Sequence, residues 1–399
     1  MTVANFTCLA AARHAVLQKA GWNVEGEGLF GAPAVTVVVG EEVHATVFKA
    51  LALLGLGKNR VVRAPVDGQG IRTDSLPRIQ GPTIICAQAG NVNTGAFDPF
   101  KHICQWAHDA GAWVHVDGAF GLWAAASKQY EHLVSGAAAA DSWAVDAHKW
   151  LNVPQDSGIA IVRNPDDLKD AIAISAAYLN LRQRRDPMQW VPESSRRARG
   201  IEIWTALRSL GRKGLANLIE RNCHYAQFAA ERLQVEGFAV LNDVVLNQVL
   251  VSFGDANMTQ RVIDAVQQDG TCWCGGTVWQ GQTAQNWFYP CRIVASRTDE
   301  SHSFVRGHLL FIDLASTDEF NKCLDDWLSP YKALPFLKIS SRFTEPIRTA
   351  RLGLDPPDSH ASPATLPQST LRRLGLAEPQ KRPWDLTASH QTESWRADA

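Results

Sequence analysis

A lysine directly after an apolar run is the side chain of this sequence best suited to covalent chemistry. Lys149 lies in WAVDAHKWLNV, residues 143–153, where the apolar run ends in Asp146. Such lysines are rare, because an ammonium group beside a buried strand must reach water or lose its charge. Asp117 ends a second apolar run 32 positions earlier. A lysine and an acid at neighbouring strand ends are suited to a Schiff base with an aldehyde-bearing cofactor.

Alternating strands and helices are expected to position these two residues. The predicted strands are 34–40, 60–66, 82–90, 112–118, 142–147 and 157–163, and the predicted helices are 44–57, 99–111 and a segment near 129–135. Continuous apolar strands separated by helices predict an α/β fold, with a mostly parallel sheet covered by helices on both faces. Ligands of such sheets bind at the carboxyl ends of the strands. We therefore expect Asp117, Lys149 and the segment 88–94 (QAGNVNT) to converge on one crevice.

The pattern changes after residue 200. A long helix is predicted over 201–234, with a break near Gly211–Gly214, and shorter strands and one helix follow. The sequence therefore predicts three parts: a large cofactor-binding α/β domain at 1–205, a small and incomplete α+β domain at 206–330, and a poorly ordered tail at 331–399. The tail lacks periodicity, and residues 341–399 hold seven of the 19 prolines.

Composition excludes several classes of protein. Hydrophobic residues make up 46% and charged residues 20% of the chain, as in ordinary globular proteins. The net charge of −1 gives no general attraction to nucleic acid or to a membrane surface. No apolar run approaches the roughly 20 residues that span a bilayer, and no signal peptide is evident, so we expect a cytoplasmic protein. The eight cysteines lack a framework spacing, which suits reduced thiols, and no metal site is expected at Cys272 and Cys274.

The groups that pyridoxal 5′-phosphate requires have candidates in this sequence. A carboxylate must keep the ring nitrogen protonated, and Asp117 is placed for that role. A flat side chain must cover one face of the ring, which the imidazole of His44 could do. The phosphate needs hydroxyl and amide donors at a helix start, and Thr2, at the beginning of the helix ANFTCLAAARHAV, could supply some of them.

Four stretches carry a resemblance to a known family. They are EEVHATVFKALALLGLG, QAGNVNTGAFDPF, WVHVDGAFGLWAA and DSWAVDAHKWLNVPQDSGIAIV. Together they resemble the group II pyridoxal-phosphate-dependent amino-acid decarboxylases, which include the aromatic-L-amino-acid and glutamate decarboxylases. The resemblance runs from about residue 1 to 283, and it is specific because H-V-D-x-A, H-K-W and an upstream histidine occur in the family's order. It implies a fold type I enzyme, like aspartate aminotransferase.

The resemblance implies a role for individual residues. Lys149 matches the lysine that binds the cofactor aldehyde, Asp117 the acid at the ring nitrogen and His44 the stacked histidine. Other positions match residues that line the cofactor, namely Ala119 on the opposite ring face, His148 near the phosphate, and Gln88 and Thr94 in a lining loop. Tyr178 lies in the region of a mobile-loop tyrosine that assists the final protonation in relatives. In that mechanism the substrate amine displaces Lys149, carbon dioxide leaves, and the ring stabilises the resulting carbanion.

Two departures from the family pattern keep alternatives open. The family has a long N-terminal segment that helps to form the dimer and the pocket, and this chain begins after it, so an incomplete phosphate cradle is expected. From about residue 285 the sequence no longer matches the family pattern, which indicates a displaced reading frame or a divergent replacement and predicts loose packing over 285–399. The alternatives are an active homodimeric decarboxylase, a related carbon–carbon lyase on the same cofactor, and a catalytically silent remnant; an aminotransferase is a weaker alternative. An amino acid is the expected substrate, but its identity is not predicted.

Three arginines in SSRRARG leave a further question open. Arg196, Arg197 and Arg199 would ordinarily form a solvated face. A structural or carboxylate-binding role is the alternative, because similar arginines occur in relatives and a guanidinium binds carboxylates well. Similarly, Lys149 alone could extend to solvent and Asp117 alone could cap a helix, so the prediction depends on their joint occurrence.

Overall fold

The structure is a computed structural model, and it describes residues 1–68, 70–176, 186–269 and 274–288. In chain order the strands are β1 (Thr36–Gly40), β2 (Val62–Ala64), β3 (Val66–Asp67), β4 (Gly70–Ile71), β5 (Thr83–Gln88), β6 (Trp113–Asp117), β7 (Ser142–Asp146), β8 (Gly158–Val162), β9 (Ala239–Val240), β10 (Gln248–Ser252), β11 (Gly275–Trp279) and β12 (Gln282–Phe288). The helices are α1 (Thr2–Lys19), α2 (Val24–Glu27), α3 (Ala45–Leu53), α4 (Phe100–Asp109), α5 (Pro165–Ile172), α6 (Gly200–Val235) and α7 (Ala256–Asp269).

The larger sheet has six strands in the order β2-β1-β5-β6-β7-β8. Each neighbouring pair from β2 to β7 is parallel, and the edge strand β8 is antiparallel to β7. The register places Gln88 opposite Asp117 and Asp117 opposite Ala144. Because β1, β5, β6 and β7 are parallel, their carboxyl ends meet at one edge of the sheet. The predicted mostly parallel sheet is confirmed.

Helices cover both faces of this sheet, as its side-chain alternation requires. On one face, Val37, Val39, Ile84 and Cys86 pack with the buried residues of α1 and α3. Their neighbours in the strands, including Val38 and Ile85, point to the opposite face, where they pack with residues of α4 such as Phe100 and Ile103. Successive residues of a strand face opposite ways, so continuous apolar strands are stable only when both faces are covered.

Helix α1 packs against strands β5 to β8 of the larger sheet. Its sequence is rich in alanine and leucine, which favour helix, and it ends at Lys19, shortly before Gly21 at φ 81°. Leu9 and Leu17 are fully buried, and burying a leucine contributes about 1.5–3 kcal/mol. Buried alanines between them allow the helix to approach the sheet closely, which brings its polar residues into contact with the strands.

A smaller α+β region follows the long helix α6. Its four strands are antiparallel in the order β11-β12-β10-β9. Its core joins the C-terminal part of α6, including Leu233, to Val249 of β10 and Ile263 of α7. The predicted break in α6 is confirmed, because Gly211 has non-helical dihedral angles (φ 62°, ψ −178°). The smaller α+β region itself was also predicted correctly, while its boundaries at 206 and 330 stay predictions.

One prediction of local structure was wrong, and a second is tested over only four residues. The strand predicted over 60–66 is limited to Val62–Ala64, because Pro65 has no backbone N–H for the sheet, and the hairpin β3–β4 follows instead. Loose packing was expected from residue 285, yet residues 285–288 of β12 pair with β10. The predictions for residues 289–399, including the tail, lie outside the described residues.

Candidate active site

The candidate site lies at the edge where the parallel strands end. His44 follows β1 and is the N-cap of α3, Gln88 ends β5 and Asp117 ends β6. His148 and Lys149 follow β7. Asp117 and Lys149 lie close enough to His44 to influence its pKa, and His44 and Lys149 lie close enough to Asp117 to influence the pKa of that carboxyl. The chain thus brings together a lysine, a carboxylate and an imidazole that are far apart in sequence.

Asp117 is a buried carboxylate with neutral donors. Only 3% of the residue is exposed. Its Oδ2 accepts a hydrogen bond from Asn5 Nδ2 at 3.1 Å, and its Oδ1 accepts one from the Ala119 N–H at 3.3 Å. Burial raises the pKa of Asp117, whereas the hydrogen bond from Asn5 and the charges of His44 and Lys149 lower it. The carboxylate therefore has capacity for a cationic partner.

His44 is held by its helix cap. Its Nδ1 accepts a hydrogen bond from the Thr46 N–H at 3.3 Å and lies 2.8 Å from Thr46 Oγ1. Burial lowers the pKa of His44, and the nearby charge of Asp117 opposes that shift. Because Nδ1 is an acceptor, the neutral ring carries its proton on Nε2. A neutral, oriented imidazole can stack on a flat ligand.

Asp146 is a second buried carboxylate, and it lies beside the lysine. It is 1% exposed, and its Oδ2 is 3.6 Å from both Lys149 Nζ and His148 Nε2. The backbone nitrogen of Met1 is 2.7 Å from its Oδ1. Lys149 Nζ also lies 5.1 Å from the centre of the Phe120 ring, where a cation is attracted by the π electrons. Asp146 was not predicted as a site residue, although its position three residues before Lys149 was a signal.

A short loop after β6 joins the two acids. The Ala119 N–H donates to Asp117 Oδ1, and the Ala119 carbonyl accepts from the Asp146 N–H at 3.0 Å. The next residue, Phe120, packs so closely on Gly90 (φ 88°) that a Cβ there would lie 2.6 Å from its ring. Glycine at this position is therefore needed for both the backbone conformation and the contact. The loop fixes the separation of Asp117 and Asp146.

Hydrogen bonds from backbone N–H groups to side-chain oxygens hold the segment from Gln88 to Thr94. The Gln88 N–H donates to Asp98 Oδ2 at 2.6 Å, and Asp98 Oδ1 accepts from the Ile71 N–H at 2.7 Å. Burial raises the pKa of Asp98 to about 6. The Thr94 hydroxyl accepts from the Ala96 N–H at 3.2 Å. Gln88 is half-buried at the strand edge and Thr94 is buried, so Gln88 is the more accessible of the two predicted lining residues.

Contacts from the smaller region close one side of this segment. Asn91 Nδ2 and Trp279 Nε1 donate to the two oxygens of Glu42, at 3.1 Å and 3.0 Å. Thr277 Oγ1 donates to Asn93 Oδ1 at 2.9 Å. Burial raises the pKa of Glu42. The loop after β1 and the loop after β5 are thereby tied to β11.

The remaining predicted residues have different outcomes. Thr2 is the first residue of α1, whose N-terminus has no side-chain cap. His148 Nδ1 lies 3.3 Å from the backbone carbonyl oxygen of Ser157. Ser157 is fully buried, and its hydroxyl has no hydrogen-bond partner within the described ranges. Tyr178 lies outside the described residues. Arg197 and Arg199 both pair with Asp156, which makes them members of an ion-pair network.

Three features bear on other kinds of chemistry. The cysteines at 8, 86, 104, 223 and 274 are free and buried. The parts of the chain that the structure describes contain no group of three or more His, Cys, Asp or Glu residues arranged to hold a metal ion. In the same parts, no helix is long and apolar enough to cross a membrane.

Comparison with known proteins identifies the family. Several solved structures share the fold, among them mouse CSAD, with a TM-score of 0.65 and 22% identity over 72% of this chain and 65% of that one. Another is 4-hydroxyphenylacetaldehyde synthase from Rhodiola rosea, with a TM-score of 0.64 and 20% identity over 82% of this chain and 68% of that one. The fold is thus that of the fold type I pyridoxal-phosphate decarboxylases. The family model "Pyridoxal-dependent decarboxylase conserved domain" matches residues 1–254, so the chain belongs to the pyridoxal-dependent decarboxylase family, as predicted.

Curated relatives differ in the amino acids that their names contain. L-tyrosine/L-DOPA decarboxylase 2 of Lophophora williamsii is 26% identical over 281 residues, which cover 66% of this chain and 52% of the relative. Aspartate 1-decarboxylase of Aliivibrio fischeri is 30% identical over 251 residues, covering 58% of this chain and 46% of the relative. The chain therefore spans about half the length of these relatives.

Proposed function

We propose that this protein is a pyridoxal-phosphate-dependent carboxy-lyase that converts an L-amino acid to its amine. The observation that carries the proposal is the grouping of Lys149, Asp117 and His44 at the sheet edge where β7, β6 and β1 end. Membership of the decarboxylase family supports loss of the α-carboxylate rather than transfer of the amino group.

The residues present fit the cofactor. The buried carboxylate of Asp117 has only neutral donors in contact within the described residues, and a protonated pyridine nitrogen would supply the missing positive charge. Lys149 Nζ would bond to the aldehyde carbon. The imidazole of His44 would cover one face of the ring, and Ala119 would leave room on the other. When bound, the ring supplies an electron sink for the carbanion left by departing carbon dioxide.

The protein's own groups have separate tasks in this proposal. Asp117 holds a proton at the ring nitrogen, because its buried negative charge is stabilised by that proton. Asp146 holds Lys149 at the strand edge through the 3.6 Å contact, so that the amine stays within reach of the cofactor. The neutral His44 excludes water from one face. His148, Thr2, Gln88 and Thr94 are proposed to line the cofactor, and Tyr178 to assist protonation.

We also propose that the active form is a cytoplasmic homodimer. Ile201 and Trp204, in the first turns of α6, are 65% and 63% exposed. The two side chains are three residues apart and share one face of α6, and a contiguous exposed apolar patch indicates an interaction surface. A second subunit is the partner that the family resemblance implies. Sedimentation of the purified chain should give twice the mass of 43.8 kDa. A monomer at micromolar concentration would contradict this part of the proposal.

The central test is covalent labelling. Borohydride reduction in the presence of pyridoxal phosphate, followed by peptide mapping, should place the modified lysine at position 149. Lys149→Ala should abolish the label, while Lys128→Ala, a change of a lysine whose side chain is 91% exposed, should leave it intact. Labelling elsewhere, or none, would overturn the proposed cofactor site.

The second test measures the reaction. A panel of aromatic, acidic and basic L-amino acids should be assayed for carbon dioxide, amine and aldehyde. Release of carbon dioxide with one amine supports decarboxylation. Aldehyde as the main product would favour the related lyase, which the similarity to 4-hydroxyphenylacetaldehyde synthase supports. Labelling of Lys149 without any carbon dioxide would favour the silent remnant.

A further inference from the structure

A continuous chain of buried polar side chains lies behind Asp117. Asn5, His115 and Ser142 are each fully buried, and they lie between α1, β6 and β7. A buried polar group without a partner costs about 1–3 kcal/mol, so buried sets of this kind persist when their members satisfy one another. Trp113, His115 and Asp117 are two residues apart along β6, so their side chains lie on the same face of the sheet.

The hydrogen bonds of this chain have a definite direction when Asp117 is ionised. A carboxylate only accepts, so the amide nitrogen of Asn5 faces Asp117 and its oxygen faces His115, with His115 Nε2 3.0 Å away. Burial lowers the pKa of His115 to about 3, so the ring is neutral and has one N–H. That proton lies on Nε2 to donate to Asn5.

The hydrogen bonds farthest from Asp117 agree with this direction. His115 Nδ1, now an acceptor, is 2.9 Å from Ser142 Oγ, whose hydroxyl donates to it. Ser142 Oγ in turn accepts from Trp113 Nε1 at 2.9 Å, and an indole nitrogen only donates. Along the hydrogen-bonded series Trp113–Ser142–His115–Asn5–Asp117, the assignment of donor and acceptor is thus consistent at every contact.

The same amide also connects to the stacking histidine. Asn5 Nδ2 donates to Thr46 Oγ1 at 3.2 Å, and the Thr46 hydroxyl lies 2.8 Å from His44 Nδ1. Asn5 is on α1, Thr46 on α3 and Asp117 on β6. The Asn5 side chain on α1 therefore contacts both β6, which ends in Asp117, and α3, whose N-cap is His44.

We propose that Asn5 is a positioning residue: through His115 and Ser142 on one side and Thr46 on the other, it fixes Asp117 and His44 for the cofactor. The proposal rests on the function proposed above. Asn5 supplies a donor that stabilises the ionised carboxylate and stops it rotating. Without this donor, burial would favour a protonated Asp117, which cannot hold a proton on the ring nitrogen.

The test compares two isosteric changes on the same helix. Asn5→Leu removes the amide and keeps the branched shape and the number of side-chain heavy atoms, and we expect the dissociation constant for pyridoxal phosphate to rise about 10-fold to 100-fold. Thr7→Val is the matched control, because Thr7 is also buried on α1 but its hydroxyl donates to the Val3 carbonyl. The control should change the constant by less than about threefold. Equal affinity of Asn5→Leu and wild type would overturn the proposal.

A second readout needs no cofactor. The ¹⁵N shifts of His115 in the unloaded wild type should show the Nε2–H tautomer at neutral pH, and Ser142→Ala should weaken that preference. A protonated Nδ1 in the wild type would overturn the proposed direction even if Asn5→Leu fails to fold. Failure of the wild type to label at Lys149 would instead reject the proposed function, so the two failures are distinguishable.

Discussion

Two buried carboxylates end neighbouring strands of the same sheet, and their surroundings are opposite. Asp146 has positively charged or chargeable groups around it, with Lys149 and His148 each 3.6 Å away. Asp117 receives hydrogen bonds from an amide and a backbone N–H. In the proposed function, the buried acid with cations nearby holds the protein's own lysine, whereas the acid with only neutral donors binds a cation from the cofactor. Equal burial therefore does not imply equal function.

The largest effect is expected from removing Asp117, the acid whose hydrogen-bond donors are neutral. Asp117→Ala should lower decarboxylation by about 10²–10³-fold, because a preorganised charge aimed at the reacting group is lost. Carbon dioxide release at saturating cofactor measures this loss. If Asp117→Ala keeps more than a tenth of the activity, the distinction drawn between the two acids is wrong.

Asp98 sharpens the comparison, because it is buried and accepts hydrogen bonds only from the backbone N–H groups of Ile71 in β4 and Gln88 in β5. In Asp98→Asn a single oxygen replaces two acceptors, so one of the Gln88 and Ile71 N–H groups loses its partner, at a cost of about 1–3 kcal/mol of unfolding free energy. Chemical denaturation measures this cost.

The pH dependence of that cost has a definite sign. Burial raises the pKa of Asp98 to about 6, so the folded protein keeps a proton there that the unfolded chain has lost above about pH 4. Wild-type stability therefore falls as pH rises from about 4 to about 6, and the variant lacks this contribution. The deficit of Asp98→Asn should be largest near pH 4. A deficit that grows toward pH 7 would contradict the assignment.

A smaller effect is expected at the acid that holds the lysine. Asp146→Asn keeps the shape but removes the charge, so Lys149 is less restrained and cofactor capture should slow by roughly tenfold. Stopped-flow absorbance of the bound cofactor measures the rate. The bound spectrum at saturation should match that of the wild type. If Asp146→Asn lowered carbon dioxide release at saturating cofactor as much as Asp117→Ala does, the two acids would not differ in function.

The smallest effect is expected where a charge pair is solvated. Lys128 Nζ lies 3.0 Å from Glu131 Oε2, but its side chain is 91% exposed. Lys128→Ala should change the free energy of unfolding by less than about 0.5 kcal/mol, because exposed pairs are screened by water. A change above about 1 kcal/mol would show that charge contacts here act independently of burial.

The sequence predicted the sheet from local pattern, and the same pattern made Asp117 and Lys149 candidates for the site, whose roles stay predictions. Apolar runs mark β5, β6 and β7, and Asp117 and Lys149 were found because they end or follow such runs. Asn5 was missed, since its partner Asp117 is 112 positions away and a single polar residue in an alanine-rich helix gives no periodic signal. The alternation of Trp113, His115 and Asp117 was a signal for the inner face of β6. Asp98 could not be predicted, because its acceptors face backbone groups that only the fold brings near.

The five cysteines within the described residues are all buried, so their reaction with a thiol reagent reports local unfolding around each of them. Burial raises the pKa of both Cys8 and Cys223 to about 12, so neither sulfur reacts with an alkylating reagent while its region stays closed. Cys8 lies under the edge of the larger sheet and Cys223 in the long helix. Mass-resolved alkylation over time would thus record, for each region separately, how often it exposes its interior to solvent.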